Sequence, residues 1–173
     1  ALAIISSMQV ANAQVKSAAD AKKAVEAAEA AAKNEKKAIK VATWIKVGQE
    51  YVKAYEAPTG NIIPGSTKTE LALMMGSEKP VSSETVEISG APYTKEVYAD
   101  KNLYFNQAGQ LAIIEVTKPV YPDALERATA AYQKAYEVDA KQTKAKDIAA
   151  AFSSIGEKYT NEAYNKYTFG DIA

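Results

Sequence analysis

One eight-residue pattern occurs twice in this chain and limits the folds that it can adopt. An aromatic residue, an aliphatic residue, a glycine and a tyrosine have the same spacing in residues 44–51 (WIKVGQEY) and in residues 152–159 (FSSIGEKY). In each copy the glycine, Gly48 or Gly156, interrupts a run with helical periodicity. A glycine inside a helix costs about 1 kcal/mol relative to alanine, so its recurrence predicts the close approach of another helix. The pattern therefore favours a packed group of helices.

Four segments have the composition or the periodicity of helices. Residues 16–33 are rich in Ala, Lys and Glu, which are strong helix formers. Residues 35–56, 122–140 and 145–167 place apolar side chains at i, i+3, i+4 and i+7. Residues 58–60 contain the Pro and Gly that end the second of these helices. We predict helices over these four ranges.

A second repeated pattern points to a known family. Residues 128–135 follow the spacing A-x3-Y-x2-A, and residues 24–31 repeat it in reduced form. Together with the glycine pattern, this alternation resembles the two signature helices of the tetratricopeptide repeat (TPR) family. The resemblance implies antiparallel helix pairs that stack and bind a peptide or protein on a concave surface. It also implies the protein-binding residues of that surface, namely Gln49, Val52, Lys53, Ser153, Glu157, Thr160 and Asn161.

Residues 57–121 separate the two copies and have a different character. Thr67 and Glu70 have the spacing of a capping box, which predicts a short helix up to Gly76. Four runs rich in β-branched and aromatic residues follow, and residues 106–109 have the composition of a hairpin turn. We predict a three-stranded antiparallel sheet crossed by one short helix. The expected fold class is mainly α, with TPR-like antiparallel helix pairs and this small α+β insert within the first repeat.

The insert has a weaker resemblance of its own. Thr67, Glu70 and Leu71, followed by Gly76 and Pro80, are similar to a pattern in the SmpA/OmlA (BamE-like) modules of the bacterial envelope. The chain departs from that pattern between the last two residues, and only one helix can precede the sheet. The resemblance implies a module for contact with other proteins.

Both ends of the sequence carry signals. Residues 1–13 combine an apolar stretch with the A-x-A ending that is typical of a secretory signal peptide, cleaved before Gln14. The alternative interpretation is a frayed apolar helix. The ending resembles that of exported proteins of Bacteroidetes-type bacteria, which implies a periplasmic or cell-envelope location.

Residues 169–173 resemble the start of an uncompleted helix, so we expect a longer repeat protein. The predicted organisation is 1–13 signal remnant, 14–56 N-terminal helices, 57–121 insert and 122–173 C-terminal helices with an incomplete last repeat.

Composition excludes several classes of function. The chain has 21 basic and 21 acidic residues and neither Cys nor His. Metal sites and nucleophiles that need Cys or His are therefore excluded, and the balanced charge argues against nucleic acid as a partner. No stretch after the signal approaches the roughly 18 apolar residues of a membrane span. We expect no catalytic residue, no bound metal and no cofactor.

These observations together favour a protein–protein interaction scaffold or adaptor of the bacterial cell envelope, with an unidentified protein or peptide partner. The oligomeric state stays open. The alternative is a glycan-binding or enzyme-associated subunit whose site lies in the insert, near Glu87, Glu96 or Glu115. A third possibility is a structural envelope spacer without a specific ligand.

Overall fold

The computed structural model describes residues 17–60 and 62–170. The predicted signal remnant, residues 1–13, lies outside the described residues. Within them the chain forms six helices and four strands, in the order α1 (Ala18–Ala32), α2 (Glu35–Ala38), α3 (Val41–Glu56), α4 (Lys68–Met75), β1 (Ser82–Ile88), β2 (Ala91–Val97), β3 (Lys101–Phe105), β4 (Leu111–Val116), α5 (Ala124–Val138) and α6 (Ala145–Phe169).

Three helices, α1, α3 and α5, supply most of the larger hydrophobic core, and the N-terminal half of α6 adds to it. α3 packs between α1 and α5, and its buried apolar side chains are Tyr51, Ala54 and Val47. Alanines line the facing helices, for example Ala21 on α1 and Ala128 on α5, both fully buried. Because an alanine side chain is a single methyl group, the helix axes can approach closely and still fill the space between them.

The predicted single helix over residues 35–56 is interrupted. α2 ends at Ala38, Lys40 adopts an extended conformation, and α3 begins at Val41. The indole N–H of Trp44 donates to the backbone carbonyl of Ala38 at 2.7 Å, which satisfies an acceptor at the end of α2. Neither Gly nor Pro marks the break, so the apolar periodicity runs through it.

The predicted three-stranded sheet is wrong, because all four β-type runs form strands. The sheet is antiparallel with strand order β1-β2-β3-β4. Ser89 and Gly90 connect β1 to β2 and have φ angles of 51° and 80°. Positive φ at both central residues is the signature of a type I′ turn, which joins two strands with a two-residue loop. Ile88 accordingly pairs with Ala91, the first of seven residue pairs along the hairpin.

Two other local predictions are confirmed. Gly109 has a φ of 74° in the turn between β3 and β4, where the Asn106 side chain accepts hydrogen bonds from two backbone N–H groups. α4 begins with the predicted capping box, in which the Glu70 carboxylate accepts from the Thr67 N–H at 2.7 Å. Short-range hydrogen bonding determines both features, so the sequence contains the whole signal.

The two faces of the sheet have separate cores. α4 covers one face through Leu71, which packs with Leu103 and Phe105. On the other face Tyr104 and Ile113 are buried, together with Ile88. Phe169, the last residue of α6, packs against this second cluster.

The predicted arrangement of TPR-like helix pairs is also wrong. α6 has 25 residues, and its N-terminal half packs on α5, where Phe152 meets Tyr132 with ring centroids 6.2 Å apart. Its C-terminal end reaches the sheet, where the rings of Phe169 and Tyr104 are 5.1 Å apart and Asn165 donates to the Ile114 carbonyl at 3.3 Å. α6 therefore connects the helical group to the sheet instead of pairing with one helix along its length.

Candidate protein-binding surfaces

α3 and α6 meet through charged and aromatic side chains. The Lys158 ammonium donates to the Glu56 carboxylate and lies 6.0 Å from the centre of the Tyr55 ring. Burial and a hydrogen bond to Glu162 raise the pKa of the Tyr55 hydroxyl, so this group stays a protonated donor at neutral pH. The side chains on the two helices that lie at or near this contact are called here the α3–α6 surface, which consists of Gln49, Val52, Lys53, Tyr55, Glu56, Glu157, Lys158, Asn161 and Glu162.

The three binding residues predicted on α3 share a face with Glu56. Residues 49, 52, 53 and 56 follow i, i+3, i+4 and i+7, so their side chains lie along one stripe of the helix. Gln49 is exposed, Val52 is half-buried against the helical core, and Lys53 is exposed. The structure therefore places this predicted set beside the contact with α6.

The four binding residues predicted on α6 are all exposed. Asn161 lies three residues after Lys158, so the two side chains are neighbours on the helix surface. The Thr160 hydroxyl donates to the Gly156 carbonyl in its own helix at 2.9 Å. Ser153 and Glu157 lie nearer the start of α6. Of this set, Asn161 is the residue that its position brings closest to the contact with α3.

Sequence reasoning missed the residues that make this contact, namely Tyr55, Glu56, Lys158 and Glu162. Lys158 lies within the second glycine motif, Glu162 follows that motif by three residues, and Glu56 follows the first motif by five. The opposite charges of Glu56 and Lys158 were the only sequence signal that could have predicted this contact. Family resemblance assigns groove positions within each helix but does not predict which charges will pair between helices.

A buried carboxylate anchors the charges on α3. The Glu50 side chain is 1 % exposed and accepts hydrogen bonds from Lys46 at 2.5 Å and from Lys53 at 3.0 Å. Burial alone would raise the pKa of Glu50, but the hydrogen bonds and charges of the two lysines outweigh it and hold the pKa at about 2. Both ammonium groups are consequently held in place at the edge of the α3–α6 surface.

Arg127 joins the three core helices. Its guanidinium donates to the Tyr51 hydroxyl at 3.1 Å and to Asp123 at 2.7 Å, and lies 5.6 Å from the Tyr121 ring centre. The Tyr51 hydroxyl in turn donates to Glu29 on α1. This network spans α1, α3 and α5, so it stabilises the helical group that supports the surface.

A second concave region lies between the end of α6 and the β1–β2 turn. It encloses about 450 Å³ and is lined by Ser89, Tyr164, Tyr167, Thr168 and Gly170. The Ser89 hydroxyl donates to the Thr168 carbonyl at 2.9 Å and ties the turn to the helix. Sequence analysis did not predict this cavity, because it depends on how the hairpin meets α6.

The three acids of the alternative site do not converge. Glu96 accepts from Lys68 at 2.5 Å and from Tyr98 at 3.0 Å on the face that α4 covers. Glu115 lies on the opposite face and accepts from Tyr104 at 2.6 Å and from Asn102 at 2.7 Å. Glu87 is on the same face as Glu96 but at the other end of the hairpin. The arrangement offers no pair of carboxylates for general acid–base chemistry.

Among residues 17–60 and 62–170, no three acidic side chains are grouped so that they could hold a metal ion. None of the helices in these ranges has the length and apolar character needed to cross a membrane.

Comparisons with protein-family models, with curated proteins and with solved structures found no match to this chain. The resemblances to the TPR and SmpA/OmlA families, and the periplasmic or envelope location, therefore stay predictions. The fold combines a group of helices with a four-stranded antiparallel sheet, and the long helix α6 contacts both.

Proposed function

We propose that this chain is a protein–protein interaction scaffold of the bacterial cell envelope, which binds an extended segment of a partner protein on the α3–α6 surface. The observation that supports this proposal most directly is the contact of Lys158 with Glu56 and Tyr55. It connects two helices that are far apart in sequence at the end of α3 where the exposed stripe of residues 49, 52, 53 and 56 lies.

The chemistry of the exposed side chains suits a polypeptide backbone. Gln49 and Asn161 carry amides, which donate and accept hydrogen bonds in the same way as a peptide group. They stand on helices, whose rigidity lowers the entropy that is lost when a partner binds.

The charges on the surface are mixed and add specificity. Lys46 and Lys53 stand beside the buried Glu50, and Glu157 lies next to Lys158. A surface of both signs orients a complementary partner and repels one with the opposite arrangement, while adding modest affinity. Recognition of a particular protein segment fits this pattern better than general attraction to a polyanion.

Site-specific photo-cross-linking in the exporting cell tests the proposal. A photoreactive amino acid replaces Gln49 or Asn161 in the full chain, and Lys22 on α1 or Gln133 on α5 in two exposed controls. We expect positions 49 and 161 to give cross-links to one common partner and the control positions to give none. Cross-links to unrelated proteins from all four positions would contradict the proposal.

A charge swap provides the matched control. Lys158→Glu places two carboxylates against each other, so we expect it to separate α3 from α6 and to lower the cross-linking yield severalfold. The double variant Glu56→Lys/Lys158→Glu restores an opposite pair and should recover most of the yield. If the single and double variants behave alike, the contact does not shape the binding surface.

A further inference from the structure

β1 is an edge strand with free backbone positions in a predictable register. Among residues 17–60 and 62–170, it pairs only with β2, on one side. In a hairpin with a two-residue loop, the two residues that flank the loop exchange backbone hydrogen bonds. Along the strands, hydrogen-bonded and non-hydrogen-bonded pairs then alternate. Ile88 and Ala91 flank the loop, so residues 88, 86, 84 and 82 direct their N–H and C=O groups towards β2. Ser83, Thr85 and Glu87 direct theirs away from the sheet.

The two edges of the sheet differ in their protection. At β4 the pairing with β3 shifts in register beside Tyr104 and Phe105. The side-chain amide of Asn165 on α6 also donates a hydrogen bond to the Ile114 carbonyl. A bulge and a covering helix both hinder the addition of another strand. β1 has neither feature. Its seven residues pair with β2 without a shift, and the strand contains no proline and no lysine.

β1 is also held in an extended conformation. Seven residue pairs fix it to β2, and the Ser89 hydroxyl ties the turn to the Thr168 carbonyl of α6. Four consecutive residues, 82–85, are nevertheless exposed. A strand that is already ordered loses little entropy when a further strand pairs with it.

The charge of β1 indicates what kind of strand it accepts. Glu84 and Glu87 are both exposed, and no basic residue lies in the strand. They are on opposite faces: Glu84 forms an ion pair with Lys95 at 3.2 Å, whereas Glu87 lies opposite Pro92 and has no ion-pair partner among the described residues. A second copy of β1 would add two more carboxylates to this edge, and like charges on neighbouring strands destabilise pairing. A basic strand would instead place a lysine or arginine next to each acid.

We propose that β1 binds an extended basic segment of a partner protein by strand addition. Hydrogen bonds to the backbone groups of Ser83, Thr85 and Glu87 supply the affinity, and the exposed carboxylate of Glu87 selects a basic side chain. This site is separate from the α3–α6 surface, and the proposal does not depend on the function proposed above.

Two synthetic heptapeptides serve as probes, both acetylated and amidated at their ends. One alternates threonine and valine with three lysines, and the other has three glutamates in place of the lysines. Amide shifts in nuclear magnetic resonance spectra of the full chain report where each peptide binds. We expect the basic peptide to perturb residues 82–88 and to bind about tenfold more tightly than the acidic one, a ratio that corresponds to a single favourable charge pair. Equal binding of the two peptides, or shifts confined to the helices, would overturn the proposal.

Two variants separate backbone pairing from charge. Thr85→Pro removes an outward N–H, a position at which edge strands tolerate proline, and should abolish peptide binding while the hairpin remains. Glu87→Lys keeps every backbone group and should reduce or reverse the preference for the basic peptide; an unchanged preference counts against the proposal. This second variant decides the question if Thr85→Pro fails to fold. Concentration-dependent dimerisation that shifts the same amides would show that the occupant is a second copy, and would also overturn the proposal.

Discussion

Gly48 and Gly156 occupy the same place in the repeated motif but have different surroundings. A Cβ atom on Gly48 would lie 2.6, 2.8 and 2.9 Å from three atoms of the Tyr132 ring. A Cβ atom on Gly156 would meet nothing within 4 Å. The predicted close approach is therefore confirmed for the first glycine and wrong for the second. Replacement of each glycine by alanine should consequently change stability in opposite directions.

The magnitudes follow from two opposing effects. Alanine in a helix interior is favoured over glycine by about 1 kcal/mol, and this gain applies to both sites. At Gly48 the new methyl group must displace a rigid ring that is 5 % exposed and packs against Phe152. Overpacking of this kind costs about 1–3 kcal/mol. With three ring atoms closer than 3 Å, we take the upper half of that range and expect Gly48→Ala to destabilise the chain by about 1–2 kcal/mol.

At Gly156 no neighbouring atom opposes the gain in helix propensity, so Gly156→Ala should stabilise the chain by about 0.5–1 kcal/mol. Urea denaturation followed by circular dichroism at 222 nm measures both variants under one set of conditions. Unchanged m-values would show that the midpoints report stability alone.

A double variant tests the cause. Tyr132→Leu removes the ring atoms that the new methyl group meets, so Gly48→Ala should cost less in the Tyr132→Leu background than in the wild type. The reasoning is refuted if Gly48→Ala stabilises the chain as much as Gly156→Ala does, or if the double variant shows simple additivity.

Two further perturbations probe the buried charge and the end of α6. Glu50→Gln should lower the free energy of unfolding at pH 7 by about 1–2 kcal/mol, because the partly exposed lysines screen part of the interaction. The folded pKa of about 2 lies below the ordinary value of 4.5, so this contribution is complete above pH 4.5 and lost towards pH 2; urea midpoints of wild type and variant should converge over that window. Phe169→Ala removes the ring that packs on Tyr104, and hydrogen exchange should accelerate in the last turns of α6 while α3 keeps its protection.

Short-range sequence patterns predicted much of the secondary structure, and each prediction that failed has a physical cause. The capping box at Thr67 and the turn at Gly109 depend on residues within four positions, so the sequence contains them completely. The Ser89–Gly90 turn was missed although a Ser-Gly dipeptide between two β-type runs is a turn signal, and the prediction therefore had one strand too few. The break at Lys40 has no such signal, because the Trp44 indole replaces the interrupted helix hydrogen bonding.

The candidate surface was less predictable than the fold. The resemblance to the TPR helices implied that Gln49 and Asn161 face a binding groove, but it could not show that Lys158 reaches Glu56 across 102 residues of sequence. That contact depends on the direction in which α6 leaves α5. The length of α6 also depends on long-range contacts, because its last turns are held by the sheet through Phe169 and Asn165 and not by another helix.

The shared helix has a consequence for how a partner could bind. Lys158, at the α3–α6 surface, and Thr168, at the β1–β2 turn, are ten residues apart on α6, which corresponds to about 15 Å along the helix axis. An extended chain covers that distance in about five residues. A partner with a segment for each surface would therefore need only a short linker, and its second contact would form at a high effective concentration. Two weak contacts held by one rigid helix can in this way give tight binding, whereas each segment alone would bind weakly.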